Sequence, residues 1–355
     1  MLQSLPVIAP SPWRELLRES IVQPCALPGH LIGDCDALAA VAARFPMKLN
    51  PYLLSLIGSA DDPIGRQVIP KAEELEDIDR ASDPLAEEHQ SPVPQIIHRY
   101  PGRVVFLVSN QCAVHCRFCM RKRRVADGRQ VSQRLIDQGI DYIHGHSQIN
   151  EVILSGGDPL MLTEERLIHI LTTLKRIPHV RLLRIHTRMP AVLPQRVTPA
   201  LVQMFSLFHP LYLNIHFNHP AEITRDVAAA CRLLADAGIP LGSQTVLLKG
   251  VNDNVRDLQD LFEALLQIRV RPYYLHQLDR VPGTAHFQVS VEKSIFLLER
   301  LRGRLSGIAM PHLMIDLPGG GGKVALTEDA IIAKGRRFWR IRNWRGDVLD
   351  YPTEE

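Results

Sequence analysis

Three cysteines stand within eight residues, at Cys112, Cys116 and Cys119, in the spacing C-x3-C-x2-C. Thiolates are soft ligands that suit iron–sulfur clusters. A four-iron cube normally takes four of them, so three leave one iron open to bind and activate a small molecule. A zinc knuckle, or cysteines that merely pack in the core, are the competing readings. Zinc sites usually set a C-x2-C pair against a distant second pair, and no such second pair exists in the sequence.

Other stretches carry chemistry less specifically. Ser155-Gly156-Gly157-Asp158-Pro159 follows an apolar run and reads as a tight turn whose backbone can approach a ligand. Pro318-Gly-Gly-Gly-Gly-Lys323 resembles a phosphate loop, but Leu317 and Val324 stand where such a loop needs Gly and Ser or Thr. A lysine on a flexible glycine arm instead suits an amine that swings into and out of a covalent link. Arg99 and Arg103, four apart, could clamp a phosphate. Asp279 and Asp316 stand near the ends of two apolar runs, where aspartates are by default caps or surface residues.

The elements that must position these residues form a repeat. Short apolar runs at Val104–Ser109, Glu151–Ser155, Val180–His186, Leu211–Phe217, Leu241–Leu248 and Val270–His276 alternate with helix-like stretches at 131–146, 163–176, 198–208, 221–237 and 254–267. Thr163, Thr198 and Asn254 mark helix starts. Alternation at about 30 residues per unit predicts βα units on a parallel sheet. Six units are too few for a closed eight-stranded barrel, so the expected fold is α/β, a partial (β/α)6 barrel. The polar residues cluster at the C-terminal ends of the expected strands, the face on which such barrels place their sites. We divide the chain into an N-terminal helical extension and linker (1–95), a barrel (96–285) and a C-terminal segment carrying Lys323 (286–355). Leu38–Phe45 is expected to be a short helix. Residues 61–95, acidic and Pro-containing, read as an exposed linker or surface strap. A helix near 290–305, a strand near 311–317 and a hairpin of 337–344 with 347–351 around Arg345-Gly346 complete the chain.

With 355 residues and a net charge of +3, the chain can bury a large core and does not demand nucleic acid as a partner. No run of 18 apolar residues and no secretory leader is visible, so a soluble cytoplasmic protein without a membrane partner is expected. Cys25, Cys35 and Cys231 show no pattern and are expected to be free thiols.

The cysteine motif resembles the signature of the radical S-adenosylmethionine (SAM) superfamily. The remaining motifs, over about residues 85–325, resemble the lysine 2,3-aminomutase branch. The resemblance implies the partial barrel and three cofactors: a [4Fe–4S] cluster on Cys112, Cys116 and Cys119, SAM on the open iron, and pyridoxal 5′-phosphate (PLP) on Lys323. It implies that Ser155, Gly156, Gly157, Asp158, His216 and Gln244 lie against SAM, and that Arg99 and Arg103 hold the PLP phosphate. Arg121 would pair with the carboxylate of substrate L-lysine, and Asp279 with Asp316 would hold its ε-ammonium. Glutamate aminomutases resemble this family but differ at those two aspartates, and a buried acidic pair would reject a neutral or acidic side chain. The implied reaction is 2,3-amino migration giving β-lysine, with flavodoxin or ferredoxin as electron donor.

The long clostridial type also carries zinc, with one ligand in a Val-Asn-Asp-Cys segment and the others in a cysteine-rich tail. This sequence has Val251-Asn-Asp-Asn254 and lacks those tail cysteines, so no zinc is expected and a homo-oligomer built with that tail is in doubt. His276 replaces a tyrosine of the long enzymes. Tyr274-Leu-His276 is similar to the short homologue that supplies β-lysine for modifying elongation factor P, whereas Asn214-Ile-His-Phe-Asn-His-Pro220 is more like the long type. The same chemistry on another amino acid, a radical SAM enzyme with a vestigial PLP site, and a non-catalytic iron–sulfur protein are the alternatives.

Overall fold

A computed structural model describes residues 12–77, 80–125, 128–326, 331–335, 338–342 and 347–352. Nine strands form one sheet in sequential order: β1 (Ile96–Tyr100), β2 (Arg103–Ser109), β3 (Glu151–Gly156), β4 (Leu182–Thr187), β5 (Leu211–His216), β6 (Leu241–Val246), β7 (Arg271–His276), β8 (His312–Leu317) and β9 (Gly322–Ala325). Neighbours from β2 to β8 pair in parallel, while β1 and β9 are antiparallel edges on β2 and β8. The six expected strands are all present. The sheet runs on past residue 285 through β8 and β9, so the segment carrying Lys323 belongs to the barrel sheet.

Parallel strands covered on both faces read as continuous apolar runs. In β2, Val104, Phe106, Leu107 and Val108 are all buried. The covering helices are Gln133–His144, Glu164–Lys175, Pro199–Ser206, Arg225–Asp236, Val255–Gln267 and Val291–Leu301. Each starts at an N-cap side chain that accepts a backbone N–H of its first turn: Ser132, Thr163, Thr198, Thr224, Asn254 and Ser290. Asn254, one of the expected helix starts, is thus a helix cap.

The N-terminal extension shares the barrel's apolar core. Trp13, Leu31, Met47, Leu49 and Leu53 join one buried cluster with the strands and helices. Buried Asn50 accepts from Leu53 N–H at 2.9 Å and donates to the carbonyl of Val192 at 3.0 Å, pinning the extension to the barrel. The expected helix near residue 40 is Cys35–Arg44. Two expectations are corrected here. Cys25 and Cys35 are joined as a disulfide, with Cα atoms 5.4 Å apart, and only Cys231 of the three is a free thiol. Of the two readings of residues 61–95, exposed linker or surface strap, the linker fails, because Glu74 and Glu87 from this stretch are buried against the barrel mouth. A stretch reads as solvated from its acids alone; here arginines supplied by a distant loop let those acids go inside.

A separate three-stranded antiparallel sheet, β10 (Ile331–Lys334), β11 (Phe338–Arg342) and β12 (Val348–Pro352), ends the chain. β11 and β12 form the expected hairpin; Arg337, Trp344, Arg345 and Gly346, like residues 1–11, lie outside the described residues. Among the described residues no helix is long and apolar enough to cross a membrane.

Candidate active site

A cavity of about 350 Å³ opens at the C-terminal ends of the barrel strands. Every candidate residue lines it: Cys112, Cys116, Cys119, Arg99, Arg103, Arg121, Ser155, Gly156, Gly157, Asp158, His216, Gln244, Asp279, Asp316 and Lys323.

The cysteine loop follows β2 and is held from outside by the N-terminal extension. His115 N–H donates to the carbonyl of Lys48 at 2.9 Å, and Arg117 N–H to that of Gln67 at 2.8 Å. The Arg117 side chain, 2% exposed, donates twice to Glu74, at 2.8 and 2.7 Å, and to the carbonyls of Phe45 and Pro46 at 3.0 and 3.1 Å. A fully satisfied buried pair of this kind fixes the loop between the cysteines. Burial pushes the Cys119 thiol up to about 11, so metal must displace its proton. Among the described residues no three His, Cys, Asp or Glu side chains converge on a single ion position. Cys112, Cys116 and Cys119 share one cavity, and three thiolates suit a multi-iron cluster with one iron left open.

The glycine turn after β3 does something other than the sequence suggests. A Cβ on Gly156 would collide with the carbonyl oxygen of Ser109, and one on Gly157 with that of Gln111. The N–H groups of Gly157 and Asp158 donate to those same carbonyls, at 2.6 and 2.8 Å. These glycines bring the turn against the cysteine loop, and the two N–H groups are not free for a ligand. The Asp158 side chain is also spent. It is buried and accepts from Leu160 N–H, Thr187 hydroxyl, Arg188 N–H and Met189 N–H, at distances of 2.7–3.1 Å. Asp158 braces the loops after β3 and β4; a ligand contact through its carboxylate would break those bonds.

His216 ends β5 and bonds Asn218 at 2.9 Å. Burial, reinforced by the Arg188 charge, pushes it down to about 3, so the ring is neutral. Gln244, its partner in register on β6, lines the same wall.

At the other end of the cavity the charges are paired. Arg121 donates through Nε and Nη2 to Glu87, at 3.0 and 2.6 Å, and through Nη1 to Ser155 at 3.3 Å. Burial opposes ionisation of Glu87, yet Arg121, Arg123 and Arg124 hold its carboxyl below the usual range. Arg123 reaches Asp83, Glu87 and Glu88 at 2.9, 3.5 and 3.2 Å, so the strap acids neutralise part of this basic run. Arg99 donates to Gln90 at 2.6 Å, to the Leu85 carbonyl at 3.1 Å and to Asp316 at 3.4 Å. Arg103 lies across the ring of Tyr100, its guanidinium carbon 4.2 Å from the ring centre.

Asp316 and Lys323 are direct cross-strand partners in the β8–β9 pair, and their side chains form an ion pair. Lys323 does not ride on a loose arm. Gly319, Gly320 and Gly322 take positive φ of 64°, 86° and 86°, which shapes the turn that returns β9 onto β8. Gly319 N–H donates to Pro84 O at 2.9 Å, and Lys323 N–H to the Tyr100 hydroxyl at 2.8 Å. The glycine richness answers a turn geometry. Asp279 is pushed up to about 7, first by burial and then by the neighbouring charge of Asp316.

Several residues at this site were not visible in advance. Glu87 and Tyr100 carry no motif; Tyr100 sits between Arg99 and Arg103 and could have been found only by knowing that β1 pairs with β2. Tyr273 reaches the cavity through a bulge: Pro272 pairs with Ser243 and Tyr274 with Gln244, leaving Tyr273 as the extra residue. Its ring stacks on Tyr274 at 3.8 Å and the two hydroxyls bond at 2.8 Å. Arg188, just past the end of β4, carries no motif and donates to Cys116 Sγ at 2.7 Å.

The radical SAM superfamily model matches residues 106–264, and a model described as lysine-2,3-aminomutase matches residues 298–355. The L-lysine 2,3-aminomutase of Clostridium subterminale is 45% identical over 89% of this chain and 77% of its own length. That of Escherichia coli (strain K12) is 40% identical over 76% of this chain and 79% of its own. The glutamate 2,3-aminomutase of Clostridioides difficile (strain 630) is 42% identical over 90% of this chain and 76% of its own. A radical SAM methyltransferase from Sphaerobacter thermophilus superposes with a TM-score of 0.45, at 19% identity, over 62% of this chain and 68% of that one.

Proposed function

From the chain's membership of the lysine 2,3-aminomutase family we propose that it converts L-lysine to β-lysine in the cavity described, with each cofactor and substrate group held by the residues assigned below. The family is one of isomerases, which removes the reading as a non-catalytic iron–sulfur protein. Overall identity does not choose the substrate, because lysine and glutamate enzymes match almost equally well. The choice rests on the acids. Asp279 and Asp316 share one buried cavity, and the charge of Asp316 adds to burial in raising the cost of ionising Asp279. An entering ammonium relieves that cost; a third carboxylate would add to it.

When bound, the [4Fe–4S] cluster with SAM supplies a carbon radical and PLP supplies a conjugated system that stabilises the substrate radical. Cys112, Cys116 and Cys119 hold the cluster. His216, Gln244 and the turn Ser155–Gly157 line the space for SAM. Lys323 holds PLP, and Arg99 with Arg103 faces its phosphate. Arg121, its Nε and Nη2 already fixed on Glu87, turns the remaining edge of its guanidinium toward the substrate carboxylate. Asp279 and Asp316 orient the ε-ammonium, which fixes the distance from that end of lysine to C3. The strap supplies Glu87 to the lining of this end and Gln90 as a partner that fixes Arg99. The electron comes from a small donor protein such as flavodoxin or ferredoxin; substituting each for a chemical reductant in the assay tests this.

The deciding experiment is an anaerobic assay. The protein is reconstituted with iron, sulfide and PLP, then given SAM, a reductant and L-lysine, and β-lysine is sought by mass spectrometry. Formation of β-lysine supports the reading. SAM cleavage with lysine untouched, and turnover of L-glutamate instead, would refute the substrate assignment.

A further inference from the structure

Arg188 has no part in the roles above, yet it makes a specific contact at the cluster loop. It follows β4, is 8% exposed, and points Nη1 at Cys116 Sγ from 2.7 Å. Nη2 donates to Glu222 at 2.7 Å and to Gln67 at 2.5 Å. Its guanidinium carbon lies 5.2 Å from the centre of the Phe118 ring, one residue before Cys119. Glu222 is 1% exposed and is fixed from behind by the N–H groups of Asn218 and His219, at 2.7 and 3.3 Å. Gln67 is fixed in turn by Asn218 Nδ2 at 2.9 Å. The result is a rigid buried dipole with its positive end against one cluster cysteine and its negative end farther off.

We propose that Arg188 and Glu222 form a positioning pair that sets the reduction potential of the cluster held by Cys112, Cys116 and Cys119. The proposal rests on the reading that these cysteines carry the cluster. One-electron reduction by an external low-potential donor adds a negative charge to an already anionic cluster–thiolate unit. Hydrogen bonds to the sulfurs and fixed nearby charges stabilise that added charge. The pair is out of water, so its field is weakly screened. Arg188 therefore raises the potential, and Glu222, by opposing it, lowers it. A pair serving only to brace the fold would not give effects of opposite sign.

The full chain and its Arg188→Met, Arg188→Lys and Glu222→Gln variants are reconstituted anaerobically, assayed for iron and sulfide, and titrated potentiometrically with electron paramagnetic resonance of the reduced cluster as the readout. Arg188→Met should lower the reduced-to-oxidised ratio at a fixed potential about tenfold, a midpoint about 59 mV more negative for a one-electron couple. Arg188→Lys should shift it less in the same direction, and Glu222→Gln should shift it the other way. Unchanged midpoints at full iron content, or shifts of the same sign for Arg188→Met and Glu222→Gln, overturn the proposal. If Arg188→Met loses iron, the other two variants decide. Loss of iron from all three also overturns it, because the pair is then a structural brace. A Cys116→Ala chain that retains wild-type iron would instead overturn the cysteine assignment itself.

Discussion

Replacing Asp316 by Asn tests the substrate reading most directly. The Asp316 side chain is 5% exposed and has three cationic or titratable neighbours: Lys323 in contact, Arg99 at 3.4 Å and His276 at 4.0 Å. Asparagine keeps the shape and removes the charge. Truncating one side of a buried charged contact costs about 2–5 kcal/mol. The lower part of that range applies here, because Asp279 stays. Relieved of its neighbour, Asp279 ionises more easily and takes over part of the ammonium. A loss of about 2–3 kcal/mol is about a 30- to 150-fold fall in kcat/KM for L-lysine, at 1.4 kcal/mol per tenfold. The control is L-norleucine, which has the same carbon chain and no ε-ammonium. Its slow turnover should fall far less, so the preference for lysine over norleucine shrinks by nearly the full factor. Unchanged kinetics would remove Asp316 from the site. An equal loss on both substrates would assign it to Lys323 alone and refute the recognition argument.

Four further outcomes are expected. Asp279, raised to about 7, is neutral below that pH and cannot pair with ammonium, so kcat/KM for lysine should fall up to about tenfold per pH unit as pH drops through 7; a flat profile there would contradict the assignment. Glu87→Gln should free the Arg121 guanidinium from its fixed pose and raise KM for L-lysine about tenfold, about 1.4 kcal/mol, while barely moving that for lysinamide; equal effects on both would show that Glu87 does not act through carboxylate recognition. Glu74→Ala strands the buried Arg117 guanidinium and should cost about 3 kcal/mol of stability, read in chemical denaturation; a cost under about 1 kcal/mol would mean that the Phe45 and Pro46 carbonyls alone suffice. Lys323→Ala should abolish β-lysine formation and let PLP be removed by gel filtration, with SAM cleavage retained; full activity would sink the PLP assignment.

Much of the catalytic apparatus is legible in the sequence because it depends on local spacing. C-x3-C-x2-C places three thiols on one short loop whatever surrounds it. Strands β2 and β3 announce themselves as apolar runs buried on both faces, β4 and β6 by an alternation of buried and half-buried residues, and the threonine and asparagine caps mark where helices start. From those two signals the strand ends, and hence the side of the barrel that holds the cavity, follow. β1 and β9 were not legible for the opposite reason. Ile96–Tyr100 is short and half polar, and Gly322–Ala325 is a tetrapeptide that opens on the last residue of a glycine run. Neither has a strand signature of its own; each is extended because β2 or β8 offers it an edge of unpaired N–H and C=O groups.

The sequence by itself thus determined the thiol loop, the βα order and the candidate acids, arginines and lysine. Only the tertiary structure decided what those groups do to one another. It put Glu74 and Glu87, read as solvated acids, against Arg117 and Arg121, because a buried carboxylate is tolerable once a guanidinium meets it. It spent the Asp158 carboxylate and the N–H groups of Gly157 and Asp158 on bracing neighbouring loops, and it set Asp316 opposite Lys323 across two strands. Spacing along the chain fixes which residues share a loop or strand. Pairing across more than two hundred positions, as between Tyr100 and Lys323 or Arg99 and Asp316, exists only when the sheet brings its first and last strands to the same cavity.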